Sequence, residues 1–301
     1  MTKINPKAYR LVGDRRFRLK DWPTIVEAAY QSQAHYEELL HRDVAELSSL
    51  QEVLYASNAH AILMIFQGMD TAGKDGSIRH VMSGVNPQGC EVFSFKQPSA
   101  EELDHDFLWR SYQRLPERGR IGIFNRSYYE DVIVVRVHPE LLAAAGFDTA
   151  SASKPKFWES RYRSIVNLED HLHRNGTRVL KFYLHLSKAE QRKRLLERID
   201  DPTKNWKFSA ADVDERKLWK EYMRAYEECL AATATEKSPW YVIPADDKLN
   251  ARLIISEIFR STLEDLKMTY PKAGPERTQE LQTIRQQLEK QSSTVEGSGA
   301  G

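Results

Sequence analysis

The feature that most constrains this chain is a set of short, continuous apolar runs. The first, Ala61-Ile62-Leu63-Met64-Ile65-Phe66, stops at Gly68. An apolar run without polar alternation belongs to a strand covered on both faces. Similar runs are read at residues 91–95, 121–124, 178–186 and 240–243, separated by segments of helical length. Strands alternating with helices imply an α/β protein in which a parallel sheet is covered by helices on both sides.

Where the first run ends, Gly68-Met69-Asp70-Thr71-Ala72-Gly73-Lys74-Asp75 leads directly into a helical stretch. It matches the phosphate-cradling loop except at its last position, where Asp75 replaces the usual Ser or Thr. Glycines let backbone N–H groups turn towards an oxyanion, the helix N-terminus adds its positive end, and Lys74 supplies a mobile charge. Gly68, Ala72, Gly73, Lys74, Asp75 and Gly76 form the expected cradle. Asp70 and Asp75 put negative charge beside a polyanion, a conflict that a Mg2+ ion between carboxylate and phosphate removes. Asp75 can instead favour the N-terminus of its own helix.

The third strand is followed by Asn125-Arg126-Ser127-Tyr128-Tyr129-Glu130-Asp131. In a parallel sheet the ligand crevice lies outside the C-terminal strand ends, so these residues should emerge beside the loop. The planar fork of Arg126 suits phosphate oxygens; a structural pairing with Glu130 or Asp131 is the alternative. Residues 178–207 hold nine Lys or Arg against four acids. Such a run is either a solvated helix face or a basic lid that closes over phosphates. Arg178, Arg192, Arg194, Arg198, Lys204 and Lys207 are its candidate phosphate contacts. Lys96, just after the second strand, and Arg15, Arg16 and Arg18 of a basic N-terminal arm could join them.

The 301 residues carry 44 Lys or Arg against 43 Asp or Glu, so polyanion binding must come from local clusters. Two cysteines, Cys90 and Cys229, exclude a disulfide framework and a multi-cysteine zinc site. No apolar run approaches the ~18 residues of a membrane span and the start lacks a signal-like stretch. A cytoplasmic protein without nucleic-acid or membrane contact is the expectation. The organisation expected is a basic arm and long helix over 1–57, with the helix from Trp22 to about Ser57. A core follows over 58–269 with a lid at about 188–212, then a flexible tail over 270–301. Further helices are read at 188–200 and 212–232.

Several motifs in order resemble the polyphosphate kinase 2 family over roughly residues 8–268. They are the phosphate loop through Gly76, Ser94-Phe95-Lys96-Gln97-Pro98, Phe124 to Asp131, Trp206-Lys207-Phe208, and Pro239-Trp240-Tyr241-Val242-Ile243-Pro244-Ala245-Asp246. The resemblance implies a P-loop kinase-like three-layer sandwich with a five-stranded parallel sheet and a helical lid. It implies reversible, Mg2+-dependent transfer of the terminal phosphoryl group of inorganic polyphosphate to AMP or ADP, forming ADP or ATP. Asp70, Lys74, Asn125 and Arg126 then become the catalytic set, Asn125, Glu130 and Asp131 nucleotide contacts, and Asp70 and Asp75 the Mg2+ ligands. Asp75 looks typical of the family, and Asn125 resembles the branch that accepts AMP as well as ADP. A homo-oligomer, dimer or tetramer, is expected, with the long helix packed on its own sheet or at an interface.

Two other readings share part of this pattern. An ATP-dependent nucleoside monophosphate kinase has the same loop, sheet and lid but usually carries a Mg2+-binding hydroxyl where Asp75 stands. A non-catalytic polyanion binder would use the basic segment as an electrostatic groove, and Asp70 beside the loop argues against it.

Overall fold

Seven consecutive residues, Ala61–Gln67, are buried in the computed structural model, which describes residues 4–13, 16–208 and 210–296. They form β2. The other strands are β1 (Arg10–Leu11), β3 (Cys90–Ser94), β4 (Ile121–Asn125), β5 (Thr177–His185) and β6 (Trp240–Pro244), in the spatial order β1-β6-β5-β2-β4-β3. Strands β2 to β6 run parallel, and each lies within one residue of its expected ends. The sixth strand belongs to the N-terminal arm and pairs antiparallel with β6, Leu11 opposite Trp240. Two residues are too short for a sequence pattern to reveal.

The helices of eight residues or more are α1 (Gln33–Ser57), α2 (Lys74–Val81), α3 (Glu130–Val137), α4 (Pro155–Arg174), α5 (Lys188–Asp200), α6 (Ala210–Lys217), α7 (Trp219–Thr233), α8 (Lys248–Asp265) and α9 (Pro275–Glu296). Successive side chains of β2 point to opposite faces. Ile62, Met64 and Phe66 join Leu47 and Leu54 of α1, Ile78 of α2 and Phe259 of α8. Leu63 and Ile65 join Val132 of α3, Ile165 of α4 and Tyr226 of α7. Burial on both faces is what made the run continuous, and it produces three layers.

Helix α1 begins at Gln33 rather than Trp22, because Ser32 caps it by accepting the His35 N–H at 3.2 Å. Residues 22–32 run instead as an irregular strap. Thr24 Oγ1 donates to Asp246 and the Tyr30 hydroxyl to Asp247, each at 2.8 Å. Helix α1 packs within its own molecule, with Tyr36 and Leu39 against Leu253 of α8. The helix expected at 212–232 is two, α6 and α7, broken at Leu218.

The chain divides into two compact units, residues 1–268 and 269–301. In the second, Pro275–Glu296 is helical, where thinning apolar content suggested a flexible tail. Among the described residues no helix is long and apolar enough to cross a membrane. In the first, the chain leaves β2 towards β3 and β4 on one side and later fills β5 and β6 on the other. That reversal opens a crevice at the C-terminal end of β2, where an open α/β sheet binds its ligand.

Candidate active site

The loop after β2 turns on two glycines with positive φ, Gly68 at 152° and Gly73 at 107°. At Gly68 an added Cβ would lie 3.0 Å from the Leu184 carbonyl oxygen and 3.2 Å from Ala72 Cβ, so the turn also excludes side chains sterically. Gly73 precedes α2, whose first residue is Lys74. Lys74 is buried, and its Nζ donates to the carbonyls of Gly68 at 2.6 Å and Met69 at 3.2 Å. Burial, then the neighbouring Arg126, pulls its pKa down, against the opposite pull of Asp70, Glu130 and Asp75.

Arg126 stands at φ 64°, its N–H held by the Phe66 carbonyl at 3.1 Å. This backbone turns the side chain out of β4 towards the loop, where Nη2 lies 3.2 Å from Asp70 Oδ1. Burial works against its charge, but Glu130 and Asp70 outweigh burial and raise its pKa. Asn125 Nδ2 donates to Asp75 Oδ1 at 2.7 Å. The four residues expected to be catalytic are thus gathered at one point.

Two cavities adjoin there. The first, about 650 Å³, is lined by Lys74, Lys96, Arg198, Lys204, Lys248 and Arg252 among others. The second, about 630 Å³, shares Asp70, Phe95, Lys96 and Arg126 with the first, then becomes apolar along Val134, Leu142 and Tyr226. Glu130 and Asp131 line this second cavity. Burial raises the pKa of both, that of Asp131 to about 6 despite Arg110 and Arg161. Asn125 lines the first cavity rather than the second.

The expected phosphate contacts differ in where the structure puts them. Arg178 pairs in register with Ile62, at the opposite end of β2 from the loop, so it cannot reach the crevice. Arg194 is buried and already committed: it donates to the carbonyls of Thr71, Ala72, Ala245 and Asp246 at 2.6–3.1 Å, and its Nε to Glu190 at 2.9 Å. It lines the first cavity, and these bonds brace the loop against the end of β6. Arg192 is exposed and lines neither cavity. Arg198 and Lys204 do line the first, with Lys204 paired to Asp201. Of the arm, Arg18 pairs with Glu227 at 3.7 Å. Arg15 and the side chain of Lys207 lie outside the described residues.

Lys248 and Arg252 were not singled out from the sequence. They sit one turn apart at the start of α8, which Asp247 caps by accepting the N–H groups of Leu249 and Asn250. An added side chain at Gly76 would lie 3.0 Å from Arg252, so that glycine leaves room for the guanidinium. The signal was present: they follow the last strand at the same sheet edge as Arg126.

Phosphoryl transfer of this kind generally needs a divalent cation. Among the described residues no group of three His, Cys, Asp or Glu gathers as a metal set. Asp70 and Asp75 flank the loop, each with one carboxylate oxygen engaged by Arg126 or Asn125. Two such carboxylates fit a hard cation that completes its shell with phosphate oxygens and water.

The junction gathers the cations Lys74 and Arg126 with the carboxylates Asp70 and Asp75, and the strand order places it at the switch point of a parallel sheet. This is a P-loop phosphotransferase of the kinase type. The family model described as polyphosphate kinase 2 matches residues 30–271. An ADP-polyphosphate phosphotransferase of Rhodopseudomonas palustris is 60% identical, covering 95% of this chain and 99% of its own. An AMP/ADP-polyphosphate phosphotransferase of Meiothermus ruber is 45% identical, covering 88% and 95%. The crystal structure of polyphosphate kinase 2 from Arthrobacter aurescens superposes with a TM-score of 0.83 at 37% identity, over 94% of this chain and 97% of that one. The chain belongs to the polyphosphate kinase 2 family.

Proposed function

We propose that this enzyme transfers the terminal phosphoryl group of inorganic polyphosphate to AMP and to ADP, with Mg2+ as the cation. The observation that carries this reading is the pair of adjoining cavities, one basic and one largely apolar, meeting at Asp70 and Arg126. A phosphate chain suits the first, where Lys74, Arg198, Lys248 and Arg252 offer charge along its walls. A nucleotide suits the second, with its base among apolar side chains near Glu130 and Asp131 and its phosphate directed at the junction.

The transition state of phosphoryl transfer is loose and spreads charge over the moving oxygens, so the protein's work is alignment and charge stabilisation. Lys74 would exchange its two loop carbonyls for phosphate oxygens, and Arg126 would clamp the transferring group from the opposite side. Asp70 and Asp75 would hold Mg2+, which neutralises phosphate charge when bound. Arg198 and Lys204 would close over the chain from the lid.

AMP acceptance rests on Asn125. The relative at 60% identity has ADP alone in its name and the one at 45% has AMP and ADP. The Asn125 amide satisfies Asp75; an aspartate there would set a second negative charge against it.

The division of the cavities is tested by kinetics on variants of each. Lys248→Ala with Arg252→Ala should raise KM for polyphosphate about tenfold and leave the nucleotide KM within about twofold, as expected of lost ground-state binding. Asp131→Asn should do the reverse. Both variants acting on the same substrate would overturn the assignment.

A further inference from the structure

Directly behind Arg126, a charged cluster is closed to water. Lys181 of β5 and Glu169 of α4 are 0% and 1% exposed, with Nζ and Oε2 2.6 Å apart. The Lys181 ammonium uses its other protons on the Thr233 carbonyl at 2.8 Å and the Tyr129 hydroxyl at 3.1 Å. Glu169 Oε1 accepts both the Tyr128 hydroxyl at 3.0 Å and the Tyr129 hydroxyl at 2.7 Å. Each proton of the ammonium has an acceptor and both carboxylate oxygens have donors. Both tyrosines are fully buried.

A buried ion pair contributes little stability over an apolar replacement of the same shape, because desolvation offsets the attraction. Full satisfaction of its hydrogen bonds does fix geometry. What this cluster fixes is the turn that carries Arg126. Tyr128 and Tyr129 are its second and third residues onward, and Arg126 holds a positive φ of 64°, which a side-chain-bearing residue keeps only when its surroundings impose it. The near side of the turn is pinned by Phe66 through the Arg126 N–H, and by Ser127 Oγ, which accepts from Gln67 Nε2 and the Tyr129 N–H. The far side is pinned by the two hydroxyls on Glu169.

We infer that Tyr128, Tyr129, Glu169 and Lys181 are positioning residues for phosphoryl transfer, anchoring the turn so that the Arg126 guanidinium meets the transferring group. The inference goes beyond the proposed function but rests on its reading of Arg126 as the clamp. The cluster touches no substrate and acts only through that turn.

The test is a double-mutant comparison. Tyr128→Phe, Tyr129→Phe and the pair are made in the native background and with Arg126→Ala, and kcat and KM are measured with polyphosphate and ADP. In the native background the pair should lower kcat ~5- to 50-fold, as misplacement of a catalytic group does, with both KM values within about twofold. With Arg126→Ala the same changes should cost less than about twofold, because the group they position is gone. Native kcat in the Phe variants, or the same loss in both backgrounds, overturns the inference. Each single change leaves Glu169 paired with Lys181, so the singles carry the comparison if the pair does not fold. Should Arg126→Ala alone keep over half the activity, the clamp reading fails and this inference with it; an inactive Arg126→Ala beside fully active Phe variants defeats this inference alone.

Discussion

At the scale of single residues, the assignment of Lys74 to the transferring phosphate gives the sharpest prediction. Lys74→Ala removes the buried charge at the start of α2 and should lower kcat ~10²- to 10³-fold, by analogy with the loss of one preorganised donor. Steady-state rates retaining more than half the native value would contradict its role. Asn125→Asp places a carboxylate 2.7 Å from where Asp75 Oδ1 now accepts a hydrogen bond. It should lower the rate with AMP at least about tenfold relative to that with ADP if an aspartate here marks the ADP branch, a shift of ~1.4 kcal/mol or more in relative barrier. An unchanged ratio in side-by-side assays would count against that assignment. That Lys74, Asp70 and Arg126 come together was legible because a phosphate loop and a strand end are each local in sequence. Arg178 was misread because its distance from the loop depends on strand register, which pairs it with Ile62 at the far end of β2. Composition holds no record of register.

At the scale of elements, helix α5 carries a buried brace on one side and exposed basic residues on the other. Arg194 was legible as basic but not as buried, since its four carbonyl partners come from the phosphate loop and the end of β6, both far away in sequence. Arg194→Met should cost about 2 kcal/mol or more in urea unfolding, because a buried acceptor left unpaired costs ~1–3 kcal/mol. Arg192→Ala, on the exposed side, should stay within about 0.5 kcal/mol. Equal effects would remove the distinction.

A second link joins elements along the wall of the second cavity. His138, at the end of α3, has Nε2 3.1 Å from the Glu215 carboxylate of α6 and Nδ1 3.1 Å from Glu140 Oε1. Burial disfavours its charge, yet the bonds to Glu215 and Glu140 prevail and raise its pKa. A raised folded pKa means stabilisation fully present below the unfolded value of about 6.5 and lost as pH rises through the folded value. The Tm difference between the native chain and His138→Gln should therefore be largest in mildly acidic buffer and shrink as pH rises above about 6.5. A difference independent of pH would show that the bridge is not ionic.

At the scale of the whole molecule, the three-layer architecture was legible because each central strand is buried on both faces and reads as an uninterrupted apolar run. The strap over 22–32 and the two-residue strand β1 were not, since hydrogen bonds to Asp246, Asp247 and β6 hold them rather than any periodicity of their own. All residues assigned to the site lie in the unit that ends at residue 268. A chain ending there should keep kcat within about twofold of the full chain, as removal of a segment that makes no transition-state contact does. Loss of turnover on truncation would mean that residues 269–301 take part.

The most direct measurement supplies AMP and ADP separately, with Mg2+, and with either polyphosphate or ATP as the donor, resolving products by chromatography. Two adjoining cavities, one basic and one largely apolar, on the proposed reading predict ADP and then ATP from AMP when polyphosphate is the donor. Activity with ATP alone as donor would contradict the account and favour the activity of a nucleoside monophosphate kinase.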